Sequence, residues 1–103
     1  MITDALVFLQ SWYASCCDDD WEHGYGVIIE TLDNPGWRLE VDLVNTPLAG
    51  ALLDRIVVER TEDDWVHAWS NGIHFGGACG PLNLGELLEA FRDFVGNAVS
   101  PPG

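Results

Sequence analysis

Two segments of helical period, one near each end of the chain, bracket a middle stretch whose apolar residues recur at every second position. This change of period limits the fold more than any other feature of the sequence. Over residues 4–16, Ala5, Leu6, Leu9, Trp12, Tyr13 and Cys16 share one helical stripe, while Asp4, Gln10, Ser11, Ala14 and Ser15 take the other. Thr3 is placed to cap this helix, with Asp4 set favourably against the dipole of its first turn. In the second segment Leu84, Leu87, Leu88, Phe91, Phe94 and Val95 form the stripe. Asn83 followed by Glu86 reads as a capping box before that helix, Gly96 suits the position just after it, and residues 98–103, ending Pro101-Pro102-Gly103, read as a flexible tail.

Between the helices, residues 25–32 are apolar and β-branched on both faces apart from Glu30 and Thr31, the pattern of a central strand. Asp33-Asn34-Pro35-Gly36-Trp37 then reads as a type II turn, with Pro35 presetting φ at one position and Gly36 at the next, which needs positive φ. From Trp37 the alternation is clean: Trp37, Leu39, Val41 and Leu43 on one face, Arg38, Glu40 and Asp42 on the other. A third strand near 53–60, a tight acidic link Glu62-Asp63-Asp64 and a fourth strand near 65–71 follow, with Trp65, His67 and Trp69 sharing a face. The Gly-rich run Phe75–Pro81 reads as the connection to the last helix. The expected architecture is α+β: helix, four-stranded antiparallel meander, helix, with both helices on one face of the sheet and the other face open. All 103 residues fit one domain, and a chain of that length buries roughly two-thirds of its unfolded surface.

Charge narrows the partners. Seventeen Asp and Glu stand against four arginines and no lysine, a formal net charge of −13. Nucleic acids and anionic membranes reward basic residues, so neither is an expected partner; a cationic protein is, with solubility the plainer explanation for the same acidity. No apolar run approaches the ~20 residues of a membrane span, no secretory leader is recognisable, and the odd set Cys16, Cys17 and Cys79 fits reduced thiols, which together point to the cytoplasm.

The densest local feature is Cys17-Asp18-Asp19-Asp20-Trp21-Glu22-His23. It lacks the alternating carboxylates and turn glycine of a calcium loop, and the cysteines and histidines elsewhere lack the paired spacing of a zinc site, so no metal or cofactor is expected. Cys17 sits at a helix C-terminus beside three aspartates, the wrong electrostatic setting for a nucleophilic thiolate. No nucleophile elbow or phosphate-binding loop occurs, and no enzyme is expected. Asp18, Asp19, Asp20 and Glu22, with Glu40 and Asp42 on the wet strand face, are therefore read as a partner-binding surface. Trp21 is either its aromatic anchor or a ring that folds back as a local lid. Two readings from other classes stand beside this one: a small metal-dependent or thiol enzyme using the Cys17–His23 loop, and a ligand-binding or scaffolding domain whose Trp65 and Trp69 hold an apolar partner.

The ordered string Trp12-Tyr13, Cys17-Asp18-x-Asp20-Trp21-Glu22-His23, Tyr25-Gly26-Val27 and Thr31–Trp37 resembles the immunity protein 53 family of bacterial polymorphic toxin systems. The likeness is strongest over residues 12–43 and continues through Asp64-Trp65, Phe75-Gly76 and the final helix. It departs at Asp19, where the family pattern carries Gly, and at the doubled Cys16-Cys17. The resemblance implies a protein that binds and neutralises a cognate toxin, a basic one and a nuclease among the candidates, whose cationic cleft an acidic surface would fill.

Overall fold

The computed structural model describes residues 4–99. Helix α1 (Asp4–Cys16) leads to a one-turn helix α2 (Trp21–Gly24), strands β1 (Val27–Leu32), β2 (Gly36–Asp42), β3 (Leu52–Thr61), β4 (Asp64–Asn71) and β5 (His74–Cys79), and helix α3 (Leu84–Val99). The protein is α+β, but its sheet has five antiparallel strands in the order β1-β2-β5-β4-β3, not four in a meander. Strand β5 is the glycine-rich run expected to be a connection, and it lies at the centre. Its glycines are there because neighbours occupy their missing side-chain volume. A Cβ on Gly76 would meet the Trp69 indole at 2.7 Å, and one on Gly77 would meet Leu87 of α3 at 2.4 Å. Close approach outweighs the poor strand propensity of glycine.

Four smaller expectations change as well. Strand β1, read as a central strand, lies at the edge of the sheet with Ile28 and Ile29 exposed. Gly36 has no positive φ; it opens β2 because a Cβ there would lie 2.3 Å from the carbonyl oxygen of Cys79 on β5. Helix α3 runs through Gly96 to Val99, so Gly96 does not end it and residues 98 and 99 are helical. Asn83 precedes α3 and its carbonyl accepts the Leu87 N–H, but the reciprocal capping box is absent. The Asn83 amide donates instead to Asp64 and Glu86, and Arg60 joins the same two carboxylates, tying the β3–β4 hairpin to the start of α3. Thr3 and residues 100–103 lie outside the described residues.

One face of the sheet carries the core. Leu39 and Val41 of β2, Val66 and Ala68 of β4, and Phe75 and Cys79 of β5 are buried against the stripes of both long helices, Ala5, Leu9 and Trp12 from α1 and Leu87, Leu88, Phe91, Phe94 and Val95 from α3. Phe91 is the hub, with Trp12 at 5.2 Å and Phe75 at 5.1 Å, both edge to face, the geometry aromatic quadrupoles favour. Among the described residues no element packs on the opposite face of the sheet, and the side chains of Arg38, Glu40, Trp65, His67 and Trp69 there stand only partly covered.

Candidate partner-binding surface

The acidic loop is a folded unit with its own hydrogen-bond logic. Asp19 takes φ of +73°, which reverses the chain between α1 and α2. The Asp18 carboxylate then accepts the backbone N–H of Asp20 and Trp21 at 3.1 and 2.9 Å, satisfying donors at the start of α2 that would otherwise be orphaned. Glu22 folds back, and its two carboxylate oxygens accept the N–H of Asp18 and Asp19, each at 3.0 Å. These bonds stabilise the charged forms. The Trp21 N–H, then that of Asp20, lowers the Asp18 carboxyl below its ordinary value; the Glu22 carboxyl is lowered by its own N–H and by those of Asp18 and Asp19. Asp19 and Asp20 have exposed side chains. The four carboxylates therefore divide into two that accept backbone N–H groups and build the turn, and two that accept none among the described residues.

Trp21 is not an exposed anchor. Its ring is 4% exposed, its indole N–H donates to the Val44 carbonyl at 2.8 Å, and it packs on Trp12, Tyr13 and Tyr25 at 6.1–6.2 Å. Of the two expectations for Trp21, the ring that folds back is the one observed. It pins the loop to the segment that follows β2.

Glu40 and Asp42 project from β2 onto the open face, and they are not alike. Glu40 shares Arg38 with Glu30, whose carboxylate lies 2.6 Å from Arg38 Nε. Asp42 is fully employed: Oδ2 accepts the Gly26 N–H at 2.9 Å and Oδ1 lies 3.0 Å from His74 Nε2. Through Gly26 it joins the end of β2 to the exit of the acidic loop, so Asp42 and residues 18–22 sit at one end of the sheet, with Glu40 a step further along the strand.

The open face also holds groups that were not read as a charged site. In the β3–β4 hairpin Glu59 pairs with Trp65 and Val57 with His67. His67 Nε2 lies 2.9 Å from Glu59 Oε1, and its ring meets Trp65 edge to face at 5.2 Å. Trp69 lies over Gly76, with the Arg55 guanidinium 4.1 Å from its ring centroid. The indole N–H groups of Trp21 and Trp37 donate to the carbonyls of Val44 and Pro81. Those of Trp65 and Trp69 have no acceptor within the described residues. The tight link at Glu62-Asp63 pairs Thr61 with Asp64, and it is a register shift between Glu59 and Thr61, which the sequence did not signal, that brings Glu59 beside Trp65.

Among the described residues no three His, Cys, Asp or Glu side chains converge as metal ligands would. The three cysteines are unpaired; Cys79 is fully buried, and that burial pushes its thiol up to about 11. No helix of the described residues is long and apolar enough to cross a membrane. No curated protein and no solved structure matches the chain. The family model described as Immunity protein 53 matches residues 6–96, from α1 through the acidic loop and all five strands into α3. With nearly the whole fold inside that match, the chain belongs to the Immunity protein 53 family.

Proposed function

We propose that this protein works by occupancy: it binds a cognate, basic toxin in the cytoplasm of the cell that makes both, blocks the toxin's cationic cleft, and catalyses nothing itself. Membership of an immunity family supports the binding role in general. The observation that carries the finer reading is how the charge is distributed. Arg38, Arg60 and Arg92 are each spent on neighbouring carboxylates and Arg55 on the Trp69 ring, so a chain with net charge −13 meets its surroundings mainly through carboxylates. Asp19 and Asp20, aimed outward by a turn that Asp18 and Glu22 hold rigid, form the leading edge, with Glu40 behind them on the open face. A nuclease fits best as target, because carboxylates held this way mimic the phosphates its cleft attracts. Such a surface accelerates association with a positive cleft.

The test is co-expression with the product of the adjacent toxin gene, scored for rescue of growth and for a one-to-one complex. Rescue without co-purification would overturn blocking by occupancy. In stopped-flow association, the variant Asp19→Asn/Asp20→Asn/Glu40→Gln is expected to bind more slowly and with weaker salt dependence. Association at the wild-type rate at every ionic strength would overturn the steering mechanism.

A further inference from the structure

Far from the acidic loop, at the other end of β4, Trp65, His67, Glu59, Thr61 and Glu62 line a shallow hollow of about 270 Å³. That is below the roughly 300–1,000 Å³ of pockets that take small molecules, and suits a single side chain. Its walls are an indole, two carboxylates, a hydroxyl and an imidazole, with no arginine or lysine among them. Within the described residues the Glu59 carboxylate has only His67 as partner, Glu62 has none, and the Trp65 N–H has no acceptor.

The rest of the molecule shows what such surroundings hold. Arg55 of β3 lies against the ring of Trp69 on β4, Arg60 sits between Asp64 and Glu86 at the same hairpin, and Arg38 between Glu30 and Glu40. The hollow combines the aromatic wall of the first with the paired carboxylates of the others, and the chain supplies no arginine to fill it. A guanidinium is the side chain that meets both at once, stacking on an aromatic ring while its planar edge donates to carboxylates.

We propose that this hollow receives an arginine side chain of the toxin. The inference rests on the reading of the chain as a toxin-binding immunity protein and adds a second contact, remote from Asp19 and Asp20. The net charge of −13 favours a cationic occupant over a second copy of the chain.

Titration of the ¹⁵N-labelled protein with N-acetyl-arginine amide tests the pocket without the toxin. The Trp65 indole signal is expected to move saturably at millimolar concentration while those of Trp21 and Trp37 stay. Neutral N-acetyl-citrulline amide should leave it unmoved, and the variant Glu59→Gln/Glu62→Gln should abolish the response. A response to citrulline equal to that for arginine, or none to either, overturns the pocket. With the toxin, the same double variant is expected to lose about tenfold or more in affinity while unfolding at the wild-type denaturant midpoint. Wild-type affinity in that variant overturns the pocket and leaves the immunity reading standing. Failure of the wild-type protein to bind the toxin overturns the immunity reading, and the arginine titration alone then decides the pocket.

Discussion

The acidic loop and the open face of the β3–β4 hairpin are built from the same ingredients, tryptophan among carboxylates, and arrange them in opposite ways. In the loop the indole points inward, its N–H is taken by the Val44 carbonyl, and two of four carboxylates are consumed in holding backbone donors. On the hairpin, Trp65 and Trp69 lie on the surface with unused N–H groups, and the carboxylate of Glu59 meets only an imidazole. The lesson is that density of charge does not tell which groups a fold leaves free. What matters is which hydrogen-bonding capacity the fold has left over, since a satisfied group gains little from a partner and an unsatisfied one gains more.

That contrast can be broken first at the tryptophans. Trp21→Ala is expected to cost about 3–5 kcal/mol in urea denaturation, the range for deleting a buried large aromatic side chain, while Trp65→Ala should stay within about 1 kcal/mol. Equal losses would mean that the two regions are not different in kind. A second comparison uses the two faces of β5. Gly77→Ala forces a methyl into Leu87, itself fully buried, and should destabilise by about 1–3 kcal/mol; Gly76→Ala meets the half-exposed Trp69 ring, which can swing aside, and should cost less. A larger loss at Gly76 would show that the open face is as tightly fitted as the core.

The third test is acid. Folding lowers the carboxyls of Asp18 and Glu22, so the stability they contribute is complete above the ordinary carboxylate range and is lost as pH falls through their lowered folded-state values. Asp18→Asn should therefore flatten the decline of the urea midpoint between about pH 5 and about pH 2, and an unchanged acid limb would remove the loop's claim to be self-supporting. The smallest expected effect is a gain. Asp19 sits at φ +73°, and Asp19→Gly should stabilise by about 0.5 kcal/mol, the relief of left-handed backbone outweighing glycine's greater chain entropy. Asp20→Gly at its neighbour should give no such rise in Tm.

Much of this was legible before the structure. The stripes of α1 and α3 and the alternation along β2 are patterns in which one face must be buried, and most of those residues are buried, with Tyr13 of α1 an exposed exception. Strand β5 was not legible, because Phe75-Gly76-Gly77-Ala78 has the composition of a linker. Only the Trp69 ring on one side and Leu87 on the other explain those glycines, and both contacts are tertiary. Gly36 and Gly96 misled for a related reason: each was read through local backbone preference, whereas packing decided the first and helix continuation the second. At the candidate site the carboxylates themselves were visible. Which of them were free was not, since that depends on Glu22 folding back over a turn whose hand Asp19 sets.

The placing of β5 also has a meaning in time. The hairpins β1–β2 and β3–β4 are not hydrogen-bonded to each other; they are joined only through β5, whose Cys79 pairs with Trp37 and whose His74 pairs with Asp42. A ribosome delivers both hairpins before the strand that unites them, and such distant pairings are slow to form. The open face, and with it the spacing between the outward aspartates and the Trp65 hollow, is complete only when β5 has paired with both hairpins.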